Sequence, residues 1–291
     1  MEIAKTIIPL LLTVSLGLLV IAAGIASSRG DFAYVISRPR LLAKALVAVM
    51  IVPTIVALVV ILIFPMSHSA KAGIFLMAIS PVPPLMPGRA LKFGGSAGYV
   101  YGLQGAGAVL ALVMVPLLGL VGASIYGVDA HFPVSVVARN IFIGLVVPLA
   151  IGLIVGRWVF PGVSPSVPRT ITLIANVLLV LAFIPLLVAE TPAIMALIGN
   201  GTVVAMAAVV VAGLLGGHIL GGPELRDRST LAFTAAIRHP GIALALAGAN
   251  HAAKPVTAAV LLFLLVGLLV LVPYQMFLNR RLKRLSVGTQ G

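Results

Sequence analysis

The sequence predicts an all-α integral membrane protein with about nine transmembrane helices. Three observations carry that prediction. The composition is too apolar for water, apolar stretches of spanning length recur along the chain, and the basic residues fall mostly on one side of those stretches. Of 291 residues, 61% are hydrophobic and only 9% are charged, and the mean hydropathy is +1.24. Soluble domains carry about a quarter charged residues, and a chain of this length in water still needs a polar surface. The apolar surface must therefore face lipid. With no cysteine, a disulfide framework, a thiolate zinc site and a thiol nucleophile are excluded. The formal charge of +13 would suggest nucleic acid in a soluble chain. Here the bases lie between apolar stretches, so the expected partners are anionic membrane lipids and an anionic substrate, not nucleic acid.

A helix needs about 20 residues to cross a bilayer. Stretches of that length lie at 5–27, 41–64, 71–92, 97–124, 137–158, 169–189, 194–220, 229–250 and 255–278. The first is too long for the apolar region of a cleaved signal, about 7–15 residues. More bases follow it (Arg29, Arg38, Arg40, Lys44) than precede it, so it reads as a retained helix. No extramembrane stretch is long enough for a second domain, and residues 1–291 read as one transmembrane domain.

The bases set the orientation. With the N-terminus outside and the C-terminus cytoplasmic, fourteen Lys and Arg fall on the inner side. Only Lys5, Lys71, Arg139 and Lys254 fall outside. That asymmetry is the inside bias of a multi-pass protein in a bacterial-type inner (cell) membrane. An odd helix count also allows helices one to four and six to nine to be inverted repeats, because the fifth reverses the second set. Each half then has a discontinuous helix as its third member. The first break is Ile79-Ser80-Pro81-Val82-Pro83-Pro84-Leu85-Met86-Pro87-Gly88, and the second is Ala236-Ile237-Arg238-His239-Pro240-Gly241. Proline removes an amide donor and clashes with the preceding turn. Four prolines within seven residues cannot leave a regular helix. Matched interruptions in two halves are the best sequence pointer to a transporter's binding site, because unwound backbone at that depth must be buried in protein or line a wet cavity.

Arg238 is the most informative side chain. A guanidinium near the bilayer centre costs roughly 2.5–3.5 kcal/mol on insertion scales, and no Asp or Glu lies within a helix core to pair with it. Two acceptors remain open: an anionic substrate, or carbonyls freed by the first break. His239 titrates near neutrality and is a candidate for proton coupling, although an adjacent cation favours its neutral form. A hydrogen-bonding or packed histidine is the alternative. The candidate substrate-binding set is Arg238, His239, Pro240, Ser80, Pro81, Pro83 and Thr234, with no metal ligands and no cofactor. Ser80, Gln104, Asn140, Asn176 and Thr234 are the other polar candidates within the helices, and each fits an interhelical hydrogen bond equally well. Arg89 and Lys92, at the cytoplasmic end of the third span, fit snorkelling to headgroups best, with an inner vestibule that attracts anions as the alternative. Gly94-Gly95 and Gly216-Gly217 fit close helix packing or helix ends. Neither HExxH nor a paired-carboxylate arrangement occurs, and no phosphate loop follows a strand, so enzyme chemistry is not expected.

The stretch from Gly30-Asp31-Phe32 through Arg38-Pro39-Arg40, then Pro53, the broken third span and Pro116-Leu117, resembles the bile acid:sodium symporter family. So does Arg238-His239-Pro240-Gly241-Ile242-Ala243-Leu244-Ala245-Leu246-Ala247, which looks like that family's second crossing helix. The resemblance covers nearly the whole chain in order and spacing. It implies a core and a panel, two crossed discontinuous helices, and sodium-coupled uptake of organic anions by alternating access. The chain departs from the family where sodium binds. The family's Pro-Gly-Gly followed by Ser-Asn stands here as Pro81-Val82-Pro83, with Met86 and Pro87 at the Ser-Asn positions. Thr234 replaces a Glu, and Arg238 and His239 replace a Gln-Asn pair. Sodium prefers several hard oxygen ligands, so sodium coupling is expected to be lost while anion binding survives. A proton is the alternative coupling ion. The expectation is a symporter-like secondary transporter of a small organic anion, with a non-transporting membrane sensor or subunit on the same scaffold as the alternative.

Overall fold

The structure, a computed structural model, describes residues 2–28, 30–31, 33–80, 83 and 86–288, with side chains at 2–6 and 283–288 outside the description. Among the described residues there is helix and no strand. Eight helical segments among the described residues are long and apolar enough to cross a membrane: Ile7–Ala26, Pro39–Ile63, Ala97–Tyr126, Val134–Val159, Ser166–Leu197, Thr202–Leu220, Leu225–Ala249 and Pro255–Leu282. The remaining stretch, predicted at 71–92, is divided. Its arms are His68–Ile79 and Met86–Lys92, and the longer arm of 12 residues rises only about 18 Å, short of the roughly 30 Å hydrocarbon core. Ser67 caps the first arm by accepting from the Ala70 amide. Leu225–Ala249 is divided as well, into Leu225–Ala236 and Pro240–Ala249.

Packing sorts the segments into two groups. The first helix, Glu2–Ala26, packs along Ser166–Leu197 and Val147–Ile154. These three form a peripheral group; only 11% of the Val134–Val159 and Ser166–Leu197 windows is buried, against 61% for Leu225–Ala249. The other segments surround the two divided ones, and most of the buried apolar residues belong to them. Each arm pairs with the opposite arm of the other divided segment. His68–Ile79 packs on Pro240–Ala249, and Met86–Lys92 packs on Leu225–Ala236, so the two run past each other antiparallel. The peripheral group joins the rest where Val134–Ile141 meets Pro240–Ala249 and where Ser166–Leu197 meets the last helix. At the first junction the Asn250 side chain clasps residue 131, with Oδ1 accepting from its amide and Nδ2 donating to its carbonyl, each at 2.7 Å.

Glycine sets the closest approaches. A Cβ on Gly213 would lie 2.5 Å from the Ala235 carbonyl oxygen, one on Gly217 2.5 Å from Ala232 Cα, and one on Gly221 2.5 Å from Arg228 Cα. This four-residue repeat seats Thr202–Leu220 backbone to backbone against Leu225–Ala236, as small residues do in membranes. The same device joins Gly24 to Gly152 in the peripheral group.

Two boundaries differ from the sequence reading. A helix was expected to end near 189, before Pro192, with the next starting at 194. Instead Ser166–Leu197 runs through Pro185 and Pro192, and the chain turns at Gly199, Asn200 and Gly201, all with positive φ. A proline removes one internal bond, whereas backbone in the left-handed region ends the helix outright. The last helix, expected to stop at 278, extends over Pro255–Gly288.

Candidate binding site at the two helix breaks

The first break opens after Ile79. Ser80 leaves helical geometry at φ −90°, ψ 102°, and Pro83 is buried beyond it. Pro81 lies outside the described residues. The second break opens at Ile237, which is extended at φ −86°, ψ 123°, and helix resumes at Pro240. The histidine before that proline is its N-cap: His239 is extended, and its Nδ1 accepts from the Ile242 amide at 3.3 Å. Pro240 occupies the first helical position, where a missing N–H costs nothing. The breaks touch, the His239 amide donating to the Ser80 carbonyl at 3.2 Å. Ser80, His239, Pro240 and Arg238 are thus brought together from positions about 160 residues apart in sequence.

Arg238 is 2% exposed. Its Nη1 donates to the Val49 carbonyl at 2.7 Å, while Nη2 has no partner among the described residues. One acceptor of this residue therefore lies on the second span; of the first break, residues 81, 82, 84 and 85 lie outside the described residues. The reason is local. Residues 47–51 form a wide π turn, and Pro53, four residues beyond Val49, has no N–H to return to that carbonyl. The sequence offered one signal for this acceptor, the lone proline, and lone prolines in membrane helices are common. Ser80 Oγ is likewise buried without a partner among the described residues.

Thr234 sits one turn before Arg238, fully buried, with its hydroxyl donating to the Thr230 carbonyl at 2.7 Å. Asn140 similarly turns back onto Val136, so both are engaged within their own helices rather than between helices. Thr234 also forms part of the wall of an apolar recess with Leu42, Leu46, Met50, Leu103 and Leu110, enclosing about 300 Å³ of empty space counting its open mouth. Val49, whose carbonyl holds Arg238, belongs to the same wall. Arg89 is half-buried and Lys92 exposed at the end of Met86–Lys92.

These contacts make a cap prediction. His239→Ala should lower thermal stability by about 1 kcal/mol through loss of the N-cap, and His239→Asn should recover most of it. Thermal unfolding of the purified variants checks this; equal losses in both would show that the ring acts by packing and not by capping.

The arrangement suits an oxyanion more than a cation. It holds a buried guanidinium with a spare donor, a serine hydroxyl without a partner, and an apolar recess sharing a wall with the guanidinium's anchor. Comparison with protein-family models and with curated proteins finds no match for the chain.

Proposed function

We propose that the chain is a secondary transporter that moves a small organic anion by alternating access, with its site where the two broken helices meet. The observation that carries this reading is the Ser80–His239 contact between two interrupted spans, beside a buried Arg238 with an unpartnered Nη2. Broken membrane helices that meet are costly to bury, and transporters use them to present polar backbone to a solute. Antiparallel pairing of the arms supports crossed helices and inverted repeats. The peripheral three-helix group, whose members pack mainly on one another, supports rocking of one body against the other. The distribution of bases supports an N-terminus outside and a cytoplasmic C-terminus in a cell membrane. The resemblance to bile acid:sodium symporters agrees with this scheme, but Arg238 and Thr234 stand where that family's sodium ligands would be, so transport proceeds without sodium at those positions.

Purified protein in detergent should melt at higher temperature with a subset of organic anions, equally in sodium and choline buffers, because a ligand of the folded state raises its apparent stability. Proteoliposomes loaded with such an anion should then take up its labelled form by counterflow. Stabilisation without movement of label would make the protein a membrane sensor, and arrest of counterflow when choline replaces sodium would restore sodium coupling.

A further inference from the structure

Arg238 carries a charge that no side chain among the described residues pairs with. One guanidinium nitrogen is held by the neutral Val49 carbonyl, and Nη2 has no partner among the described residues. The acidic residues are Glu2, Asp31, Asp129, Glu190, Glu224 and Asp227. None lies in 39–63, 68–92, 97–126, 202–220 or 228–282. Asp227, the nearest along the chain, is eleven residues away, or about 16 Å of helix. A counter-charge for this site must come from a solute.

We propose that the protein is an anion exchanger, in which one solute monoanion carried across must be replaced by another for the site to return. This rests on the alternating-access reading above. With a monoanion against Nη2 the site is neutral, and closing around it desolvates an ion pair whose attraction offsets much of the cost. Without the anion, reorientation takes a lone guanidinium through the closed arrangement, the situation in which a buried charge is most unfavourable. The loaded site therefore turns over quickly and the unloaded one slowly. A coupling cation does not change that balance, because it would add to the charge of Arg238, and the core segments offer it no carboxylate. One free nitrogen suits a single anionic group, and the exchange of one monoanion for another is electroneutral.

The test uses the full chain in proteoliposomes of phosphatidylethanolamine and phosphatidylglycerol, with potassium and valinomycin clamping the potential at zero. Labelled pyruvate, lactate and benzenesulfonate are the probes. Uptake of a probe into vesicles preloaded with its unlabelled form should exceed uptake into vesicles lacking it by on the order of tenfold or more. It should also saturate with the internal concentration. Equal rates in preloaded and unloaded vesicles overturn exchange while leaving the transport reading intact. No protein-dependent uptake of any probe under either condition overturns both.

Discussion

Arg238→Gln is expected to leave a folded protein whose affinity for its anion falls by about 10- to 150-fold. That range is the loss of one hydrogen bond to a charged group, about 1.5–3 kcal/mol. The reason to choose glutamine lies in the two donors of Arg238. Nη1 serves the Val49 carbonyl, which Pro53 leaves without its ordinary helical partner; Nη2 has nothing to serve among the described residues. A glutamine amide can donate to the carbonyl but carries no charge for the anion. Replacing a buried charge with a neutral group of similar volume is often neutral or stabilising, so thermal stability should hold. Arg238→Met behaves differently: it leaves the Val49 carbonyl buried and unpaired, at about 1–3 kcal/mol, and loses the anion as well. Melting temperatures of both variants, with and without the stabilising anion, separate the two roles. Wild-type affinity in the glutamine variant would mean that Arg238 is a clamp alone, and the site would have to be sought elsewhere.

Much of this architecture is legible in the sequence because lipid imposes a simple rule. Every backbone group must be satisfied inside the segment, so apolar stretches of spanning length can only be helices, and the few places where proline forbids helix stand out. The prolines after Ser80 and the Arg238-His239-Pro240 stretch marked both breaks, and the structure opens the chain at both. Contacts made across the fold were not legible. Arg238 finds its acceptor 189 residues away, on a carbonyl freed by a wide turn whose sequence, Val47–Ile51, is ordinary apolar helix. Thr234 was selected for its polarity, but its hydroxyl is spent on its own helix. Helix ends misled where proline competed with glycine. The helix expected to end near 189 runs on to Leu197, and the chain turns at Gly199 to Gly201, because positive φ ends a helix more decisively than one absent amide. The pairing of the arms is a property of three-dimensional packing, and spacing along the chain carries it only through the equal placing of the two breaks.

Gly217→Ala should cost the fold more than its single added carbon suggests. The Cβ would meet Ala232 Cα and the Leu231 carbonyl oxygen, both at 2.5 Å. Those atoms are backbone, so no rotamer change relieves the overlap. The Leu225–Ala236 arm must move away from Thr202–Leu220, and typical overpacking of this kind costs about 1–3 kcal/mol. The arm also carries the second break, so its displacement pulls Arg238 from Val49 and His239 from Ser80, and anion-dependent stabilisation should fall with thermal stability. Gly17→Ala is the control. Nothing lies within 4 Å of its added Cβ, it sits inside the Glu2–Ala26 helix, and alanine there should be neutral or stabilising by up to about 1 kcal/mol. Thermal unfolding of the two purified variants makes the comparison. Should Gly217→Ala melt with the wild type and retain its response to the anion, the two helices are not held at backbone contact, and the placement of Arg238 loses the support that this contact gives it.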